Sequence, residues 1–153
     1  MNVPHRVQEQ PNSCLAACVR MALAYYGVDF AEAELRRLLR TRGMGTSPAR
    51  VMIELPRLGF LAYVLDGNLK LLADYLADDV VCIVHLWTEH LAMWAGYDPV
   101  LHAVIVTAIS DSAIVVNDPT KTEPGQAISK TEFMAAWQGS DFLLIAIQPL
   151  ARS

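Results

Sequence analysis

Three observations in the sequence predict an α+β domain. Through the first half of the chain, apolar residues recur at helical spacing. In the second half the period changes to short runs of valine, isoleucine and leucine of strand length. Helix-starting residues stand where each helical pattern begins. Helices first and mostly antiparallel strands later is the α+β arrangement.

The first helix is read from "QPNSCLAACVRMALAYYG", residues 10–27. Asn12 and Ser13 are helix-starting types, Leu15, Cys18, Val19, Ala22, Leu23 and Tyr26 keep helical spacing, and Gly27 ends the run. Asp29 with Glu32 three residues later predicts a capping box, and Leu35, Leu38 and Leu39 form the apolar stripe of a second helix. "RGMGTSP" is a break. Ser47 before Pro48, followed by Val51, Met52 and Leu55, predicts a short third helix whose end Pro56 distorts. "FLAYVL" reads as a strand, "GNLKLLADYLADD" as a helix capped by Asn68, and "VVCIVHLW" as a strand. "HAVIVTAI" and "AIVVND" are two more strands joined by "SDS". Ser129 and Glu132 form a second capping box opening a helix through Trp137, and "FLLIAIQPL" is a final strand.

Length and composition bound the function. At 153 residues one domain is expected over 1–153, and 54% hydrophobic residues are enough for a substantial core. A net charge of −4 and a pI of about 5.5 argue against a nucleic-acid binder, and no acidic or basic block stands out. The mean hydropathy of +0.29 raises the question of a membrane. "FLAYVL", "VVCIV" and "FLLIAI" are far shorter than the roughly 18–20 residues of a spanning helix. "MNVPHRVQEQPNSC" is polar, so no signal peptide is expected, and the three cysteines are expected to be reduced thiols in the cytoplasm.

Cys14 is the residue that carries chemistry. At the first turn of a helix the backbone N–H groups have no helical partners, and the macrodipole is positive there. Both favour thiolate over thiol. Cys18, one turn on, and Cys82, inside an apolar strand, read as small buried hydrophobes. A Cys14–Cys18 metal site lacks two ligands, and no zinc-like spacing supplies them. A nucleophilic thiol needs a base and the base an orienter. Of four histidines, His5 lies in the polar arm, and His85 and His90 flank Trp87. His102 opens a strand whose hairpin partner ends in Asp118. A loop centred near Ser110 sets His102 opposite Asp118, and one centred on Asp111 makes them diagonal neighbours on the same face. Taken alone, the pair is equally a structural cross-strand contact. An oxyanion needs donors: the Cys14 N–H is one, and the amide of Gln8 or Gln10 is either another or an exposed polar group.

The order of these motifs resembles the bacteriocin-processing, double-glycine leader peptidases, a family of papain-like cysteine peptidases. Gln8, then Cys14 six residues on, opening a helix that ends "MALAYYG", is similar to that family's start. "GMGTSPARVMIELPRLGF" is similar to its Gly-Thr-Ser segment, amphipathic helix and Leu-Gly-Phe. His102 before "AVIVTAI", Asp118-Pro119 sixteen residues later, and the late Glu132-Phe133, Trp137 and Gly139 complete the likeness. The resemblance implies a papain-like fold and a peptidase with Cys14 as nucleophile, His102 as base and then acid, Asp118 as orienter and Gln8 in the oxyanion hole. It implies a peptide or protein substrate, and no metal or organic cofactor. The chain departs from the family at Ser13-Cys14-Leu15, where Asp-Cys-Gly is usual, and Leu15 is expected to add bulk beside the thiol. The stretch from 86 to 100, "LWTEHLAMWAGYDPV", is longer than usual, and a lid, a substrate wall or a partner surface is expected of it. Many family members are fused to a transporter; with no spanning segment, the expectation here is a stand-alone cytoplasmic peptidase. Acyl transfer through the same thioester, and peptide binding without catalysis, are the alternatives.

Overall fold

The computed structural model describes residues 1–150. Six antiparallel strands form one sheet in the order β1-β6-β2-β3-β4-β5. The strands are β1 (Phe60–Asp66), β2 (Val81–Trp87), β3 (Leu101–Ile109), β4 (Ala113–Asn117), β5 (Gln126–Ser129) and β6 (Leu143–Pro149). Helices α1 (Cys14–Tyr25), α2 (Glu32–Leu38) and α3 (Pro48–Glu54) precede the sheet in sequence, while α4 (Leu69–Ala77) and α5 (Lys130–Gln138) are threaded between strands.

Strand side chains alternate between two cores. Val81, Ile83, Ala103, Ile105, Ile145 and Ile147 pack with α1 and the elements around it. Cys82, Val84, Val104, Val106, Val116 and Leu144 pack with Leu72 of α4 and Phe133 and Trp137 of α5. With both faces covered, β2 and β3 must be apolar at nearly every position. That is why they read as continuous hydrophobic runs rather than alternating ones.

The helix ends have identifiable causes. Gly27 takes φ +87°, and Val28 N–H bonds Leu23 O at 3.0 Å, the left-handed closure that a Cβ would strain. Tyr26 then pins α1 to the sheet: its hydroxyl donates to Ile147 O at 2.7 Å and accepts from Val81 N–H at 3.1 Å. Pro56 tightens the end of α3 into a 3₁₀ turn over Leu55–Leu58. Asn68 caps α4 by accepting from Leu71 N–H, and Ser129 caps α5 by accepting from Glu132 N–H.

Two local expectations are corrected. The Asp29–Glu32 capping box does not form: α2 begins at Glu32 itself, after Ala31. Glu32 is buried and spends its carboxylate on Glu9 N–H, at 2.8 and 3.1 Å, which ties the N-terminal arm to the helix. β5 was not anticipated, because only Ile128 of its four residues is buried and the rest carry no apolar pattern. The α+β class and the antiparallel sheet are as expected.

Candidate active site

The site lies where the start of α1 meets the start of β3. α1 begins at Cys14, as expected, but Ser13 does not cap it. The Ser13 hydroxyl instead accepts from the Arg36 guanidinium of α2. The first-turn N–H groups therefore stay available, and that of Leu15 favours the Cys14 thiolate. The thiol is half-buried, and the Ala103 N–H and the His102 ring also favour its thiolate form. His102 Nε2 lies 2.6 Å from Asp118 Oδ1, so the ring's other nitrogen, Nδ1, is the one left for sulfur. Asp118 Oδ1 also accepts from the Thr120 N–H at 2.9 Å and the Thr120 hydroxyl at 2.7 Å.

The hairpin that joins His102 to Asp118 turns at Ser110–Ala113, with a bulge between Val106 and Ala108. Ile105 opposes Asn117, so continuing that register sets Asp118 beside Val104, diagonal to His102. Of the two loop centres considered, the one near Asp111 is realised. Parity is what matters, and His102, Val104, Val116 and Asp118 share it.

Electrostatics at the three groups are mutually supporting. Burial by itself would raise the Cys14 pKa, but the hydrogen bond and charge of His102, with the two backbone N–H groups, outweigh it and hold the thiol below its ordinary value. Burial by itself would disfavour an imidazolium at His102, but the bonds and charges of Asp118 and Cys14 push it up to about 9. For Asp118, burial is again outweighed, by His102 and Thr120, and the carboxyl falls to about 2. Each group is thus shifted toward its charged form: thiolate at Cys14, imidazolium at His102 and carboxylate at Asp118.

Gln8 lines the same cavity as Cys14 and His102, a cleft of about 460 Å³. The Gln8 N–H bonds Pro119 O at 2.7 Å, so its backbone is fixed to the loop after Asp118. Its side-chain amide donates to Gln10 O at 2.8 Å and Pro11 O at 3.2 Å. Gln10 contributes no lining to this cleft. Leu15, expected to narrow the site, is 2% exposed and packs into the core. One residue along a helix is about 100° around it, so Leu15 points inward while Cys14 faces the cleft. Cys18 and Cys82 are buried, as read, and burial raises both thiols, Cys82 to about 12. His85 is buried on the α1 side of the sheet, opposite Ala103. His90 is exposed in a 3₁₀ turn. Neither is hydrogen-bonded to Cys14.

The 86–100 stretch supplies a residue that sequence reasoning did not single out. Trp94 lays its ring over His102, with centroids 4.7 Å apart, and donates its indole N–H to Asp118 Oδ2 at 3.1 Å. Lys121 lies 5.5 Å from the Trp94 ring centre and donates to Met93 O. Trp94 thus covers the His102–Asp118 bond and occupies the carboxylate oxygen that the histidine leaves free. Trp87, in the same stretch, does neither; it bonds Glu89 on the surface. Both tryptophans stand in similar aromatic surroundings in the sequence, so composition marks the segment but not the residue. Tyr97, Asp98 and Val100 carry the segment on as one wall of the cleft. Among the described residues no His, Cys, Asp and Glu cluster forms a metal site.

Comparison with known proteins shows the family and the fold. Residues 2–149 match the peptidase C39 family. The chain is 27% identical over 134 residues to the pediocin PA-1 transport/processing ATP-binding protein PedD of Pediococcus acidilactici; the match covers 87% of this chain and 17% of that protein's length. The peptidase domain of Streptococcus ComA superposes with a TM-score of 0.73 at 21% identity, covering 99% of this chain and 100% of that one. A putative C39-like peptidase from Bacillus anthracis gives a TM-score of 0.74 at 15% identity, over 99% and 96% of the two chains. A double glycine motif protease from an AMS/PCAT transporter, solved in complex with the leader peptide, gives 0.73 at 20% identity, over 97% and 92%. With the family match spanning nearly every residue, the chain belongs to the peptidase C39 family and is a cysteine peptidase.

Proposed function

We propose that Cys14, His102 and Asp118 form the catalytic triad of this peptidase. The observation that carries the reading is that Cys14, at a helix start, lines one cleft with His102, whose ring is bonded to Asp118 at 2.6 Å. The Cys14 thiolate attacks the scissile carbonyl, and the His102 imidazolium then protonates the leaving amine. Asp118 holds the ring so that Nδ1 faces sulfur, and Trp94 keeps water from that bond. Water, deprotonated by the now neutral His102, hydrolyses the thioester.

The oxyanion is taken by the Cys14 N–H and by Gln8. The Gln8 amide, which bonds the Gln10 and Pro11 carbonyls in the free enzyme, turns toward the developing charge. Its place on the wall of the Cys14 cleft supports Gln8 over Gln10.

The substrate is a peptide threaded through an open cleft. Met44, Tyr97 and Leu101 expose large apolar surface at its rim, which suits an extended chain with apolar side chains. The exposure of that rim to water favours hydrolysis over acyl transfer. Leader or precursor peptides are the substrate class by kinship, given the leader peptide bound to one structural relative. No described helix is long and apolar enough to cross a membrane, and all three cysteines are free thiols, which fits work in the cytoplasm.

The test is alkylation of Cys14 by iodoacetamide across pH, paired with hydrolysis of peptides carrying small residues at a defined bond. Labelling well below the free-thiol pKa of about 8.5, lost in His102→Ala together with hydrolysis, is the expected result. A Cys14 that labels only as an ordinary thiol would sink the triad. Adding an amine acceptor separates hydrolysis from transfer by the mass of the product.

A further inference from the structure

The catalytic cleft has a neighbour. Beside it is a cavity of about 430 Å³, lined by Arg40, Arg42 and Arg50 and by the hairpin between them. The two spaces share Met44 and Gly45, so only the tip of that hairpin divides them. Residues 36–50 hold Arg36, Arg37, Arg40, Arg42 and Arg50 and no carboxylate, in a chain whose net charge is −4. No carboxylate of the described residues lies within 4.0 Å of Arg40 or Arg42, and Arg50 meets only Glu54, at 3.5 Å. Guanidinium groups without counter-ions, as at Arg40 and Arg42, favour an entering carboxylate, which gains paired hydrogen bonds.

The hairpin is also held in place. Arg42 and Gly45 exchange backbone bonds at 3.0 and 2.9 Å, and the Thr41 and Thr46 hydroxyls meet at 2.6 Å. Asn12, two residues before Cys14, donates its amide to Arg42 O and accepts from Arg36 at 2.6 Å. The backbone that carries Arg42 is therefore fixed to the same turn that presents the thiol. The opposite wall of the cleft carries Asp98 and no arginine, so an acidic side chain is drawn to the hairpin side.

We propose that this cavity is a subsite for acidic residues of the peptide that occupies the catalytic cleft, a reading that rests on the peptidase function above. A phosphate polymer is the other ligand a guanidinium cluster takes. The net negative charge of the chain and the position of the cavity beside a peptide cleft favour the acidic peptide.

The test uses the full chain carrying Cys14→Ala and fluorescein-labelled peptides that share one apolar half. The other half is rich in Glu, Gln or Lys. Anisotropy should show the Glu peptide binding at least roughly tenfold tighter than the Gln peptide at low salt, with the gap narrowing as salt rises. Arg40→Gln with Arg42→Gln should erase the preference in protein whose melting profile matches the parent. If the pair unfolds, each single variant should lower the preference by roughly threefold or more. With the native Cys14 chain, the Glu peptide should slow iodoacetamide labelling of Cys14, and the Gln peptide at equal concentration should not. Equal binding of Glu and Gln peptides overturns the proposal, as does a preference that survives the arginine substitutions. Glu-peptide binding that leaves Cys14 labelling untouched overturns the continuity with the cleft. Displacement by a short oligonucleotide at lower concentration than by unlabelled Glu peptide reassigns the cavity to phosphate. Binding to Cys14→Ala needs no catalysis, so a failed triad and a failed subsite give different results.

Discussion

Cys14 and Cys18 lie one turn apart on the same helix, and His102 and His85 lie on adjacent strands, yet each pair has been driven in opposite directions. At the sheet's end, the Cys14 thiol is lowered and the His102 imidazole raised to about 9. Behind it, burial raises the Cys18 thiol well above its ordinary value, and burial with the charge of His102 pushes His85 down to about 4. Burial opposes charge in all four places. The difference is that Cys14 and His102 have each other, Asp118 and backbone N–H groups to favour their charged forms, whereas the neighbours of Cys18 and His85 only disfavour theirs. Reactivity here is a property of the partners gathered at a helix start, not of the residue type.

The sharpest way to break that contrast is to remove each sulfur. Cys14→Ala should abolish peptide hydrolysis, a loss of roughly 10⁴-fold or more, and remove neutral-pH labelling by iodoacetamide. Cys18→Ala should leave both intact and cost about 1 kcal/mol of stability, read from denaturant unfolding. Native-state labelling of Cys18 near neutral pH would erase the distinction.

Next in size is the histidine pair. His102→Ala should lower hydrolysis by roughly 10³-fold or more and return Cys14 labelling to that of an ordinary thiol titrating near 8.5. In the parent chain, labelling should be flat from the depressed thiol pKa upward. Below that pKa the thiolate protonates and the rate falls. In the proposed mechanism hydrolysis needs the imidazolium as acid, so it should also fall as pH rises through about 9. His85→Ala and His90→Ala should keep the same profile; if His90→Ala abolished labelling while His102→Ala did not, the base would be misassigned.

Gln8 sharpens the contrast differently, because in the proposed mechanism it serves a charge that exists only during reaction. Gln8→Ala should lower turnover by roughly 10²–10³-fold and leave alkylation, which forms no oxyanion, unchanged. Gln10→Ala should change neither rate, and loss of turnover there instead would move the oxyanion donor by two residues.

The smallest expected effect is at Trp94. Trp94→Phe keeps an aromatic face over His102 but drops the hydrogen bond to Asp118, so kcat should fall roughly tenfold or less while KM stays near that of the parent. Trp94→Ala should fall further, because water then reaches the His102–Asp118 bond. A Phe variant as impaired as the Ala variant would show that the indole N–H, not the shield, carries the contribution.

Much of the frame was legible in the sequence. Periodicity marked five helices and five of six strands, since both depend on which local positions are apolar. The Asp29–Glu32 box was misread because a capping pattern is a local option, and Glu32 found a better partner in the Glu9 N–H. The Leu15 expectation failed because adjacency in sequence is not adjacency on a helix surface. The Ser13 position was read as a start, but that its hydroxyl turns to Arg36 and leaves the thiol its N–H groups depends on how α2 packs.

The sequence by itself determined the class of fold, the cysteine at a helix start, and the shared parity of His102 and Asp118, because each follows from residue order along one element or one hairpin. Only the tertiary structure decided that the helix start meets the strand start, that Trp94 rather than Trp87 covers the histidine, and that Arg40, Arg42 and Arg50 line one cavity beside the cleft. These contacts join segments distant in sequence. Their distances come from how helices and sheet pack to bury both cores, which no local pattern encodes.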